Sequence, residues 1–412
     1  MIYIIGAGIS GLTTADNLNK DFTIIEKNGY PGGLSTQYRS GAYWFDFSGH
    51  YFHFSDKENI KKYVETFAEF REYERDSRIY MFGGLIPFPV QYHLSYFPER
   101  IGRKILSEMS ADRENKSENL EESLSGQFGP TLYNLFFKPF MTKYYRRGLS
   151  EIIPAMDRGS IPVPDLKSIE EGMAGKNFKD TGYNPLFYYP SGGLKAFIGK
   201  FGEKVADRIR YNEKVKEIDL KTRTIRSDKG EYKFSKIVNT MPLRDLINVL
   251  SPGDEWRKYE QKLDSVSTLV VNLILKEKRE NFHWVYLPEV STGFYRAGYY
   301  PGHPDIACYV ERSLKDGERY DSVEEREEVI SVLKKLNMII SEDEILHLDI
   351  RVIPGSYIIF NKEWENTVPG LLEELKNHGI YSIGRYGSWN YSSMSDDIKS
   401  GISIAGILEG GL

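Results

Sequence analysis

The chain has 412 residues, a formal net charge of -5 and 14% aromatic residues, 29 of them tyrosine. The length is more than one ordinary core organises and predicts about two or three domains, while the mild acidity leaves no basic field for nucleic acid or an anionic membrane, so a bound anion must be gripped by local arginines. The single cysteine, Cys308, excludes an internal disulfide and a thiolate metal site and suits a reducing compartment.

In chain order, IYII (2–5) predicts a buried strand, GAGISG its turn, 11–19 a helix and FTIIEK (22–27) the next strand, a βαβ start. The first residues carry no basic n-region, and no apolar run approaches the roughly 18 residues of a membrane span, so the expectation is a cytoplasmic protein without one. Residues 57–76 place Ile60, Tyr63, Val64, Phe67 and Phe70 at helical spacing. The stretch 77–94 alternates about Gly83 and Gly84 as a hairpin, and 98–175 is charge-rich and helical in pattern, with FFKPFMTKYY (136–145) as its apolar part. There, Phe136, Phe137 and Phe140 read as core. Short strands follow over 210–242, further strands over 265–312 and 345–361, a helix over 322–336 whose SVEEREE run reads as a solvated face, a strand at 378–385 and a helix over 397–408.

Gly6-Ala7-Gly8-Ile9-Ser10-Gly11 follows a strand, and Glu26 ends the next strand 20 residues after Gly6. Glycines here allow a tight turn, close approach of a pyrophosphate and close helix packing, the helix N-terminus favours the negative charge, and the acid suits a ribose diol. There is no second GxGxxG, so NAD(P)H has no Rossmann half of its own and enters, if at all, as a transient reductant. His50 and His53 have no third ligand cluster beside them, and no metal is expected.

Pro31-Gly32-Gly33-Leu34-Ser35, directly after the acidic residue, resembles the GG motif of the two-dinucleotide-binding flavoproteins. Within that superfamily the chain resembles the UDP-galactopyranose mutases, nearest the eukaryotic type. DFSGHYFHFSD (46–56) is similar to the glycine-histidine loop that sets a histidine against the flavin, and His50 matches. FYRAGYYP (294–301) is similar to a stretch whose arginine holds the substrate diphosphate, and Arg296 matches. GRYGSWNY (384–391) is similar to the motif whose arginine touches flavin and whose last tyrosine touches diphosphate, matching Arg385 and Tyr391. IPFPVQ (86–91) resembles the uridine stretch, with Phe88 for stacking and Gln91 for the uracil edge. Arg158 lies at the family's second phosphate arginine, and Tyr357 at its other diphosphate tyrosine.

The resemblance implies an α/β protein: a Rossmann-like FAD-binding domain (1–76, 191–260 and 377–412), a helical insert (95–177) and an antiparallel β-sheet substrate domain (77–94, 178–190 and 261–376). It implies an FAD-dependent isomerase interconverting UDP-galactopyranose and UDP-galactofuranose by covalent catalysis through reduced flavin N5, redox-neutral overall and serving cell-surface polysaccharide synthesis, as a monomer or homodimer. Catalysis is expected of His50, Arg158 and Arg296. Cofactor contacts are expected from Gly6, Gly8, Ser10, Gly11, Glu26, Lys27, Gly33, Leu34, Ser35, Gly49, His50, Val215, Gly384, Arg385, Tyr391, Asp397 and Ile398. Substrate contacts are expected from Phe88, Gln91, Tyr145, Arg158, Tyr295, Arg296, Tyr357, Arg385 and Tyr391. Ser48, Tyr145 and Phe88 depart from the family's Gly, Trp and Tyr. FYYPSGGL (187–194) also suits an FAD oxidase or desaturase of the amine oxidase or protoporphyrinogen oxidase type, which is the alternative.

Overall fold

A computed structural model describes residues 1–55, 57–111, 117–154, 161–178 and 184–410. The chain divides into two units: 1–72, 187–264 and 363–412 form one, and 73–186 and 265–362 form the other. The helical stretch and the antiparallel sheet, which the sequence reading separates, fall in the same unit.

The first unit is built on a parallel sheet in the order Ile380–Ser382, Lys236–Asn239, Ile2–Ile5, Phe22–Ile25, Ile209–Arg210. Its strands are runs of β-branched residues with no polar alternation, as a sheet covered on both faces requires. Ile4 lies between Val238 and Ile24 in register, and all three are fully buried. The helix Ile9–Asp16 packs closely on the C-terminal helix Met394–Glu409: a Cβ added to Gly401 would stand 2.8 Å from the Ser10 carbonyl oxygen. An aromatic cluster joins Phe52, Phe54, Phe67, Phe70, Phe197 and Phe201, with Phe67 and Phe201 stacked at 3.7 Å. The helix expected over 57–76 ends at Glu65, and Phe70–Glu74 is a strand, because Phe70 is drawn edge-on to Phe52 and Phe197.

In the second unit a seven-stranded sheet runs Ile345–Ile358, Ser265–Leu275, Ile306–Leu314, Arg296–Tyr299, Trp284–Tyr286, Ser77–Met81, Gly84–Pro87. One face, with Leu269, Val271, Leu273 and Val310, forms a core with Val329, Val332 and Leu333 of the helix Ser322–Lys335. Strand side chains alternate between faces, so Val270, Asn272, Tyr309, Glu311 and Arg296 share the other face, with Val270 opposite Glu311 and Glu311 opposite Arg296. Helices Glu99–Met109, Leu120–Leu132, Lys138–Tyr145 and Leu166–Met173 surround a second core in which Phe136 and Phe137 are buried. The SVEEREE run is not uniformly solvated: Glu325 is buried and accepts from Arg312 at 2.6 Å, the guanidinium offsetting its loss of water. Among the described residues no helix is long and apolar enough to cross a membrane. Cys308 is buried in the sheet, and burial pushes its thiol well above the ordinary range.

Candidate functional site

The glycine turn sits where the parallel sheet hands over to its first helix. Gly6 takes φ +101°, a conformation side chains resist, and its amide donates to the Ile25 carbonyl at 2.9 Å. A Cβ on Gly11 would stand 2.1 Å from the Gly6 carbonyl oxygen, whereas one on Gly8 would meet nothing within 4 Å. The turn is therefore packed solid on its inner side and open over Gly8, at the start of a helix whose first turn no side chain caps. Open space against a helix N-terminus is what a dinucleotide pyrophosphate needs, and the residues fit one.

Glu26 is buried and braces this turn from the neighbouring strand. Its Oε2 accepts from the Ala7 amide at 2.7 Å and its Oε1 from Asn28 at 2.8 Å, and each oxygen keeps a second lone pair for a ligand hydroxyl. The Pro31-Gly32-Gly33 segment closes onto it, with the Gly32 amide donating to the Ala7 carbonyl at 2.7 Å and Ser35 donating back to Gly32 at 2.9 Å. Lys27 is exposed, while Leu34, Ser35 and Gly33 are half-buried around the turn. Val215 is buried at the start of a strand whose approach is tied to Glu26, since the Glu213 amide donates to the Glu26 carbonyl.

Gly49 and His50 leave the hairpin Gln37–Ser40 and Tyr43–Asp46 half-buried, and the His50 Nδ1 lies 3.0 Å from the Ser48 carbonyl oxygen. A carbonyl only accepts, so this contact puts the proton on Nδ1. Asp46, at the head of this loop, is buried. Tyr189 donates its hydroxyl to both carboxylate oxygens at 2.9 and 3.0 Å, and burial pushes the acid up to about 7 against that hydrogen bond and one from Gln37. Ser395 of the C-terminal helix donates to the His53 carbonyl at 2.8 Å.

Gly384 takes φ +76°, and a Cβ there would stand 2.4 Å from Ser10 Oγ, so the C-terminal stretch lies against the glycine turn. Arg385 stacks on the Tyr391 ring at 4.3 Å and donates to the Ser392 carbonyl at 3.0 Å. Ser392 donates to Asp397 Oδ1 at 2.6 Å. Burial raises the Asp397 carboxyl to about 6, with Ser392 and Arg385 acting against it. Ser393 caps the helix in a reciprocal box with Asp396, and Ile398 is fully buried. Trp389 in this stretch is a packing residue: it is buried, and its carbonyl accepts from Trp364 Nε1 at 2.7 Å.

In the second unit the structure brings Tyr145, Tyr295 and Tyr357 together about Tyr144, whose ring centroid lies 4.8 Å from Tyr145, 5.2 Å from Tyr295 and 4.3 Å from Tyr357, and the Arg296 guanidinium lies over the Tyr309 ring at 5.5 Å. Arg296 donates from Nε to Glu311 Oε2 at 2.6 Å. Burial acts to lower the guanidinium, and the Glu311 carboxylate outweighs it, holding Arg296 above its ordinary value. Phe88 stacks on Tyr286 at 5.2 Å. Gln91 is buried with its amide donating to the Pro162 carbonyl at 2.6 Å, so its donor end is already engaged. Arg158 lies outside the described residues.

Two residues of this cluster went unread in the sequence. Arg75 stacks between Phe88 (4.5 Å) and Trp284 (5.1 Å) and donates to Ser77 Oγ at 2.8 Å. Burial lowers its guanidinium, and the nearby positive charge of Arg296 adds to that. Glu311 did carry a signal: it is a lone acid inside the strand-like IACYVERSL. A buried charge persists only when paired, so a face that gathers Arg75, Arg296 and Glu311 has a use beyond stability.

Residues 4–67 match the NAD(P)-binding Rossmann-like domain family. A probable UDP-galactopyranose mutase of Klebsiella pneumoniae is 28% identical over 243 residues, which is 56% of this chain, and the chain spans a little over half (58%) of that relative's length. The crystal structure of a reduced UDP-galactopyranose mutase superposes with a TM-score of 0.91 at 22% identity, covering 99% of this chain and 93% of the other. A putative protoporphyrinogen oxidase from Exiguobacterium sp. superposes at 0.75 with 16% identity, covering 99% and 98%. The fold is the α/β fold of these structures, and the chain resembles UDP-galactopyranose mutases in both sequence and structure.

Proposed function

We propose that the chain binds FAD and, with the flavin reduced, interconverts UDP-galactopyranose and UDP-galactofuranose. The observation that carries the reading is the half-buried Arg296 paired to the fully buried Glu311, with the Tyr309 ring beneath the guanidinium and Tyr357 near it. A fixed cation flanked by tyrosines suits a diphosphate, which an oxidase of amines has no need to bind.

The Gly8 turn, braced by Glu26 and Gly32, holds the dinucleotide, and Arg385, Tyr391 and the loop of His50 are the proposed flavin contacts. The reduced flavin would supply the nucleophile for the anomeric carbon. The work of the chain is orientation and charge. Arg296 binds the diphosphate as it becomes a leaving group, Tyr357 adds a hydroxyl donor, and Arg158 is the proposed second cation. Glu311 keeps the Arg296 guanidinium charged and aimed, and the Tyr309 ring supports it from one side. Phe88 is the proposed stacking face for the base.

The test is to reduce the flavin-loaded chain with dithionite and follow UDP-galactopyranose by chromatography and flavin by absorbance. Appearance of the furanose form, with the flavin still reduced after many turnovers, supports the reading. An inert reduced enzyme across several UDP-hexoses overturns the reading, and oxidised flavin that bleaches with an amine or porphyrinogen substrate and recovers under oxygen replaces it with the oxidase reading, to which the protoporphyrinogen oxidase likeness points.

A further inference from the structure

Lys143 ends the Lys138–Tyr145 helix with its side chain led inward to three backbone carbonyls: Glu289 at 2.8 Å, Thr292 at 3.1 Å and Phe294 at 2.8 Å. An ammonium has three N–H donors, and here three acceptors use them all. The acceptors belong to a single irregular segment, 289–294, which ends two residues before Arg296. The far side of the same segment is held by Glu328, which accepts from Thr292 Oγ1 and from the Gly293 amide, each at 2.6 Å.

The helix turn that carries Lys143 touches the anion-binding cluster as well. Tyr144 meets Tyr295 edge-on and Tyr357 at a tilt, and its carbonyl accepts from Ser313 at 2.6 Å, on the strand that carries Glu311. One residue therefore clamps the chain leading into Arg296, and the next supplies the aromatic wall beside it. An apolar side chain at 143 would fill space without holding three carbonyls in a fixed order, and burying an ammonium costs free energy that packing alone does not require.

We propose that Lys143 is a positioning residue for diphosphate binding: its ammonium fixes the 289–294 segment and so sets where Arg296 and Tyr295 present themselves to the ligand. This rests on the UDP-sugar reading above and adds to it a residue outside the site. The charged groups facing Lys143 are Glu289 on the clamped segment and Glu328 and Lys335 on the helix Ser322–Lys335. Burial pushes the ammonium down to about 7, with the two glutamates acting against it, so the clamp loosens as pH rises through neutrality: a neutral amine offers two weaker donors in place of three.

The experiment titrates flavin-loaded wild type, Lys143→Met and Lys143→Arg with UDP by calorimetry at pH ~6.5 and pH ~8.5, which bracket the shifted ammonium. Flavin content and unfolding temperature are measured alongside. Lys143→Met is expected to bind UDP about tenfold more weakly at pH ~6.5, the scale of one lost charge-assisted contact, with flavin content unchanged. Lys143→Arg should recover most of the affinity, and only wild type should weaken toward the higher pH. Lys143→Met binding as tightly as wild type overturns the proposal. If neither variant folds, the wild-type pH profile decides, and a flat one overturns it. Wild type that binds no UDP at either pH sinks the UDP-sugar reading itself, and this proposal with it. Wild-type binding that Lys143→Met leaves untouched sinks only the role of Lys143.

Discussion

Arg296 donates from Nε to Oε2 of Glu311 across 2.6 Å, and the Glu311 side chain has no solvent-exposed surface. Removing Glu311 leaves a guanidinium that keeps 18% exposure without its charge partner. Glu311→Ala should destabilise the chain by about 1–3 kcal/mol, read as a shift of the urea midpoint at constant slope. Glu311→Gln, which keeps an acceptor for Nε, should cost less stability but still weaken UDP binding, because the guanidinium loses its charge partner. A stability change near zero for the alanine variant would show that the pair is not electrostatically buried.

Gly8 and Gly11 make opposite predictions three residues apart. Gly8→Val adds atoms where a Cβ meets nothing within 4 Å, so the apo protein should keep its unfolding temperature while flavin content falls. Gly11→Ala puts a methyl 2.1 Å from the Gly6 carbonyl oxygen and should lower both. Copurified flavin absorbance and a thermal melt on stripped protein separate the two outcomes.

Asp46 gives a pH dependence with a definite sign. Its folded carboxyl sits at about 7, above the ordinary 3.8, so between those values the folded chain keeps a proton that the unfolded chain has lost. Stability then falls as pH rises through that window and stays lower above it. Asp397, at about 6, adds in the same direction. Asp46→Asn should be the more stable form at pH ~8 by a few kcal/mol, with the advantage shrinking toward pH ~5. Chemical denaturation at the two pH values measures it, and an advantage that does not change with pH contradicts it.

Tyr391 is 52% exposed and carries Arg385 over its ring at 4.3 Å. Tyr391→Phe keeps the ring and loses the hydroxyl, so flavin content should hold while UDP affinity drops a few-fold. Tyr391→Ala also releases Arg385 from its stack, a cation–π contact worth about 0.5–1 kcal/mol at an exposed position, and should lower flavin retention in addition. Equal flavin loss in both variants would mean that the hydroxyl, not the ring, holds Arg385.

How much was legible depended on how local the cause was. The strand, glycine turn and helix from Ile2 to Asp16 are dictated by adjacent residues, and sequence reading located them together with Glu26. Several helices escaped it, two of them long. Lys362–Asn377 contains Pro369 and Gly370, and Gly193–Lys204 contains three glycines, so packing overrides poor propensity in both. On the sheet, Arg296 stood out by its motif, but its pairing with Glu311 is a matter of register between strands, which no single stretch encodes. Lys143 in a helix reads as a solvated charge, and only the placement of residues 289–294 gives it three acceptors.

The three-part construction of the first unit has a consequence for biosynthesis. Its parallel sheet sets Ile2–Ile5 beside Lys236–Asn239, and that strand beside Ile380–Ser382, while the helix against the glycine turn runs from Met394 to Glu409. The turn is translated well before the strands and helix that enclose it. The proposed dinucleotide site is therefore complete only once residues 380–409 have been made, and a chain truncated before residue 380 should retain no flavin, however well its first βαβ unit has formed.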